Sequence, residues 1–183
     1  MRKVIDTVSE EISKVLRLVD ENEAIDLSEH LKNSKRIFIT GEGRSGLMGK
    51  AIAMRLMHGG FEVYVTGETI TPSIGESDLL VAISGSGTTS SIVQYAEKAK
   101  ESGANVFLIT TNPESKLAGL SEGVLTIPAA TKKRKPNEPE TIQPLGNQFD
   151  QSVHLLLDAV IIHTLNTDEN GYKEMTERHA NME

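Results

Sequence analysis

Two serine- and glycine-rich turns, each set between an apolar run and a stretch of helical periodicity, constrain the fold of this chain more than any other feature. The first reads Gly41-Glu42-Gly43-Arg44-Ser45-Gly46 and follows Ile37-Phe38-Ile39; the second reads Ser84-Gly85-Ser86-Gly87-Thr88-Thr89-Ser90 and follows Leu79-Leu80-Val81-Ala82-Ile83. A strand that passes into a helix through such a turn is the repeating unit of a parallel α/β sheet. The remaining pattern agrees. Strands are expected at 36–40, 61–66, 78–83, 105–110 and 123–128, and helices at 45–58, 89–102 and, briefly, 114–121. The strand runs lack polar alternation, as strands covered on both faces do.

Residues 3–20 place Val4, Ile5, Val8, Ile12, Val15, Leu16 and Val19 at helical spacing, and a second helix follows over 21–32. A last long helix covers about 147–166, with Phe149, Val153, Leu156 and Val160 on one stripe. The 183 residues fit one α/β domain, with no internal repeat and no boundary between domains. Aromatic residues are only 4% of the chain against 38% apolar residues in all, so the core is expected to be aliphatic.

A net charge of −7 disfavours nucleic acid as a partner, because phosphate backbones require a basic face. The absence of Cys excludes disulfides and thiolate chemistry and fits a cytoplasmic location. Met1-Arg2-Lys3 leads into acidic amphipathic sequence rather than a signal peptide, and no apolar run approaches the ~20 residues of a membrane helix. The expectation is a soluble protein without a membrane association.

The turns point to an anion. A helix N-terminus carries unsatisfied N–H groups and partial positive charge. Ser84, Ser86 and Thr89 add hydroxyl donors, while Gly85 and Gly87 let the backbone come close to a ligand. A plainer reading makes these hydroxyls caps for the helix at 89–102. One hydroxyl suffices for a cap, however, and the turn offers five. The competing ligand is a dinucleotide, since Gly41-x-Gly43-x-x-Gly46 matches the Rossmann fingerprint and Glu68 falls near the end of the next strand. Arg44 and Ser45 inside the turn, and a second turn the fingerprint does not call for, favour a phosphorylated, hydroxyl-rich molecule instead. The run Lys132-Lys133-Arg134-Lys135 reads first as a solvated loop; a flap over an anionic substrate is the sharper alternative.

On these residues the chain resembles the sugar isomerase (SIS) domain family, and within it the 6-phospho-3-hexuloisomerases. The resemblance runs nearly end to end. It is carried by Gly43-Arg44-Ser45-Gly46, Ala53-Met54-Arg55-Leu56-Met57-His58, Gly67-Glu68-Thr69, Ile83-Ser84-Gly85-Ser86-Gly87, Pro144-Leu145-Gly146 and the terminal Arg178-His179-Ala180-Asn181. The resemblance implies a three-layer α/β/α, flavodoxin-like fold on a five-stranded parallel sheet, and a homotetramer with active sites between subunits. It also implies cofactor-free interconversion of 3-hexulose 6-phosphate and fructose 6-phosphate through an enediol, in the ribulose monophosphate route of formaldehyde fixation. A non-catalytic SIS domain that senses a sugar phosphate is the alternative within the family, and a nicotinamide enzyme the alternative outside it.

Carried over residue by residue, the substrate- and phosphate-binding candidates are Gly43, Arg44, Ser45, Ser84, Gly85, Ser86, Thr88 and Thr89. Arg44 reads either as positive charge for the substrate or as half of a structural ion pair. The catalytic candidates are Asp150, His179 and His58. Asp150 stands where the family commonly carries Glu, and an acidic residue in a first helical turn also suits the helix dipole. His179 has an ordinary pKa of ~6.5, suited to proton shuttling near neutrality. His58 serves either as a helix-end charge or in opening the sugar ring. Two departures accompany these: Glu42 where a small residue is common, and Thr88 where Glu is common, a pair whose charges offset each other. Asp150, His154 and Asp158 recur every four residues, but ligand sets drawn from one helix are uncommon and no metal is expected.

Overall fold

The computed structural model describes residues 1–136, 138–165 and 169–181. Two opening helices, α1 (Arg2–Leu16) and α2 (Glu21–Asn33), precede β1 (Ile37–Gly41), α3 (Gly43–His58) and β2 (Val63–Val65). There follow β3 (Leu79–Ile83), α4 (Ser90–Glu101), β4 (Asn105–Thr110), a 3₁₀ turn at Ala118–Leu120, β5 (Gly123–Thr126), α5 (Asn147–Leu165) and α6 (Glu169–Glu177). The strands form one sheet in the order β2-β1-β3-β4-β5, and every pairing is parallel. This is the flavodoxin-like order, whose switch point lies between β1 and β3. The expected fold class is the observed one.

Alternation along the strands sorts the core into two layers. Ile37, Ile39, Leu79, Val81, Ile83, Phe107 and Ile109 meet α2, α3 and α5, whereas Phe38, Leu80, Ala82, Val106 and Leu108 meet α4 and the 3₁₀ turn. Successive side chains of a strand point to opposite faces, so a fully apolar pentapeptide such as Leu79–Ile83 feeds both layers. The apolar stripe of α5 is buried at Phe149, Val153 and Val160, as expected, and Leu156 is partly buried against it.

Element ends differ from expectation where local chemistry outweighs periodicity. The first helix stops at Leu16, because Asp20 takes the N-cap of α2 and accepts from the Asn22 N–H at 2.9 Å. The edge strands shrink to Val63–Val65 and Gly123–Thr126, having a partner on one side only. The helix expected at 114–121 reduces to its 3₁₀ turn. The charged tail is helical over Glu169–Glu177, beyond what its composition suggests, and Arg178 fastens it by donating to the His58 carbonyl at 3.2 Å. Among the described residues no helix is long and apolar enough to cross a membrane.

The starts of the two central strands are pinned by one ion pair. Asp78, fully buried just before β3, accepts from Arg36 Nε at 3.0 Å and Nη2 at 2.5 Å, and from the Gly75 N–H at 2.8 Å. Arg36, just before β1, also donates to the Ser73 carbonyl. Removing one member of a buried pair strands the other, so Asp78→Ala is expected to lose about 3 kcal/mol of stability in urea denaturation. A loss below about 1 kcal/mol would show that the strand starts hold without the pair.

Candidate active site

The carboxyl ends of β1 and β3 lie side by side, Gly41 opposite Ile83 in the parallel register. The two turns that follow are therefore neighbours. Helix α3 departs onto one face of the sheet and α4 onto the other, which opens a crevice between them. The first turn is drawn tight by glycine. A Cβ at Gly46 would lie 2.5 Å from the Gly41 carbonyl oxygen, so only glycine lets α3 begin so close to β1. In the second turn Gly87 has φ of 63°, and a Cβ there would run into Ser115 Oγ.

The crevice is a cavity of about 430 Å³, the size of a small-molecule site. Arg44 and Ser45 line it from the first turn, Ser84, Gly85, Ser86, Thr88 and Thr89 from the second, and Asp150 from α5. Gly43 starts α3 beside them with φ of 58°. Sequence-distant candidates thus converge on one hollow.

The hydroxyls of the second turn do not cap α4. Thr89 is its N-cap residue but makes no side-chain cap bond. Instead Ser84 Oγ and Thr89 Oγ1 lie 3.2 Å apart, and Thr88 Oγ1 donates to Ser86 Oγ at 3.1 Å. The plainer capping reading therefore fails, and these weakly engaged hydroxyls remain able to turn toward a ligand.

Asp150 is the buried carboxylate of the cavity. It is only 5% exposed, accepts from Ser45 Oγ at 2.9 Å and pairs with Arg44 Nε at 3.1 Å. Burial raises its pKa above the ordinary carboxylate value, although Ser45 and Arg44 oppose the shift. Two expectations are refined. Ser45, a candidate sugar or phosphate ligand, spends its hydroxyl on Asp150. Arg44 makes the ion pair, yet its side chain stays half exposed at the cavity.

His58 and His179 are brought to each other and not to this cavity. Their rings stack at 5.0 Å with 24° between planes. They sit at the far end of α3, roughly 22 Å from its first turn at 1.5 Å per residue. His58 is buried, and burial lowers its pKa, with His179 and Arg55 adding to the effect. Neither lines the hollow formed by the same chain.

Glu42 lines the cavity and accepts from Ser91 Oγ at 2.7 Å, and Thr88 lies on the same wall. Glu68, the dinucleotide candidate, pairs with Lys50 at 3.1 Å. Asp158 is shared by His154 and Arg55 on the surface of α5, apart from Asp150's partners. Among the described residues no three His, Asp or Glu groups gather as metal ligands would. Thr111 and Asn112, which the sequence does not single out, also line the cavity, as do Leu145, which carries part of the family resemblance, and Phe149, which reads as core. Thr111 and Asn112 follow β4, and the end of a third central strand was the available signal.

The raised pKa of Asp150 has a consequence for stability. Between the ordinary value and the raised one the folded state holds a proton the unfolded state has lost, so stability falls as pH rises through that window. Asparagine carries no such cost. The melting temperature of Asp150→Asn relative to wild type should rise from about pH 4 to about pH 7. A relative melting temperature that falls over that range would show the Arg44 ion pair outweighing burial.

Comparison with known proteins places this geometry. The profile of the SIS domain family matches residues 30–139. A protein of Mycobacterium gastri named 3-hexulose-6-phosphate isomerase is 40% identical over 98% of this chain and 89% of its own length. A Bacillus subtilis protein of the same name is 39% identical over 90% of this chain and 89% of its own. A solved structure from Methanococcus jannaschii, taken to imply a 3-hexulose-6-phosphate isomerase function, superposes with a TM-score of 0.81 at 35% identity and 98% coverage of both chains.

Proposed function

The chain belongs to the SIS domain family, and from that membership we propose that it is an isomerase interconverting 3-hexulose 6-phosphate and fructose 6-phosphate. The observation that carries the reading is Asp150, a buried carboxylate of raised pKa in the same cavity as the hydroxyl-lined turn. The reaction needs a base beside C2 and C3 and an anchor at the phosphate, and the cavity supplies one candidate for each.

Asp150 takes the proton from C2 of the open-chain 3-hexulose, and the electrons of that bond form the 2,3-enediolate with negative charge on O3. A proton passes from O2 to O3, and Asp150 returns its proton to C3, leaving the carbonyl at C2. Arg44 uses Nε to hold the carboxylate, and its terminal nitrogens serve the oxygen that becomes negative. Ser45 fixes the other carboxylate oxygen, so the base is positioned before substrate arrives. Ser84, Ser86 and Thr89, with the first N–H groups of α4, take the phosphate. The chemistry calls for no cofactor.

His58 and His179 belong to this mechanism only across a subunit boundary, where the exposed His179 of one copy, backed by the buried His58 it stacks on, reaches the cavity of another. On this reading the enzyme is a cytoplasmic homotetramer with sites shared between subunits. Its reaction is a step in the ribulose monophosphate route of formaldehyde fixation.

A coupled assay tests the reaction directly: formaldehyde, ribulose 5-phosphate and a hexulose-phosphate synthase, read out as fructose 6-phosphate. Wild-type protein should turn over, and EDTA should leave the rate unchanged. Asp150→Asn should lower kcat by about 10²-fold or more with the fold intact. Because a base must be ionised, the acid limb of kcat/KM should lie above the ordinary carboxylate range. Full activity in Asp150→Asn would remove it as the base. His179→Ala should also lose turnover, and unfolding and refolding it together with Asp150→Asn should recover part of the activity. If the mixture stays inactive, the shared-site arrangement is wrong.

A further inference from the structure

The charges already assigned to the cavity do not suit a phosphate. Its walls carry two carboxylates, Glu42 and Asp150, against one guanidinium, which already pairs with Asp150 through Nε. The N-terminus of α4 adds only about half a positive charge. A phosphate ester that is a dianion near neutrality would meet net negative charge.

Three lysines of the loop after β5 change this balance. Lys132, Lys133 and Lys135 all line the same cavity. Lys135 stands close enough to Glu138 to influence its carboxyl. Lys132 and Lys133 have exposed side chains, and among the described residues no carboxylate lies within ion-pair distance of either.

The loop that carries them is held at its base. Glu138 receives the Thr131 N–H at 2.8 Å and the Thr131 hydroxyl at 2.6 Å. The Lys133 N–H donates to Thr131 Oγ1 at 3.2 Å. Arg134 turns away from the cavity wall, donating to the Thr131 carbonyl at 3.0 Å and to the Gln143 carbonyl. Farther along, Glu11 of α1 accepts from the Thr141 hydroxyl, the Ile142 N–H and Gln143 Nε2. Of the four consecutive basic residues, one braces the loop and three are left on the hollow.

We infer that Lys132 and Lys133 are phosphate-binding residues that supply, from outside the two turns, the positive charge the hydroxyl cradle lacks. This rests on the isomerase reading for the identity of the sugar but not for the anion. Hydroxyls and N–H groups set the geometry of the phosphate, and the two ammonium groups supply the electrostatic attraction. Because both lysines are solvent-exposed, that attraction should weaken as salt rises.

Calorimetric titration and steady-state kinetics of the full chain test the inference, with fructose 6-phosphate and inorganic phosphate as probes. Replacing both residues, Lys132→Gln with Lys133→Gln, should weaken binding of both probes and raise KM for fructose 6-phosphate about tenfold. That corresponds to about 1.4 kcal/mol. The kcat should stay within about twofold, and the salt dependence of KM should flatten. The melting temperature should not move, since neither side chain holds the fold. Lys132→Arg with Lys133→Arg should restore binding; a glutamine variant that binds both probes as wild type does, or an arginine variant as weak as it, overturns the inference. If wild type binds fructose 6-phosphate without isomerising it, the proposed reaction falls and the lysines stand. If wild type binds only inorganic phosphate, the sugar assignment falls and the lysines are judged on that probe.

Discussion

Parallel pairing of β1 with β3 is the constraint from which the rest of the molecule follows. With Gly41 opposite Ile83, both strands end at the same level. Right-handed crossovers then send α3 to one face and α4 to the other. Two turns that are 43 residues apart in the chain, counting from Gly41 to Ser84, become neighbours for this reason alone. The Arg36–Asp78 pair protects the same register from the opposite end of the strands. A slip by one residue would exchange the two core layers, since Phe38 and Ile39 serve different faces.

On this frame one contact joins the start of α3 to the start of α5. Arg44 and Ser45 hold Asp150 across more than a hundred residues of chain. The contact has a cost, because it buries a carboxylate, and a use, because it fixes that carboxylate at the edge of the cavity. Residues that sequence reading treats as separate binders thus divide the work. In the proposed reaction Ser45 and Arg44 position the base, Asp150, and the second turn takes the anion. Glu42, also anchored by a hydroxyl, adds the negative charge that makes a cationic contribution from elsewhere necessary.

Much of this is legible in the sequence, for local reasons. A Ser-Gly-Ser-Gly-Thr-Thr-Ser run after a fully apolar pentapeptide admits few other placements than a strand-to-helix corner. The stripe of α5 and the aliphatic core follow from periodicity and composition. The helical tail was harder to read, since Glu169–Glu177 is polar and its anchor is a carbonyl at the far end of α3. The basic loop was harder still. Four consecutive cations look alike in a sequence, and only their folded positions separate Arg134, which braces the loop, from Lys132, Lys133 and Lys135, which face the hollow.

The sequence alone determined the strand-turn-helix units, the parallel sheet they build, and the hydroxyl-rich corner suited to an anion, because each depends on neighbours a few residues away. Only the tertiary structure decided that Ser45 donates its hydroxyl to Asp150, and that His58 and His179 stack roughly 22 Å from the start of α3. It also decided that three lysines of the basic loop line the same hollow. Those facts depend on distance through space between residues remote in the chain, and helix direction and sheet register fix such distances where residue type cannot.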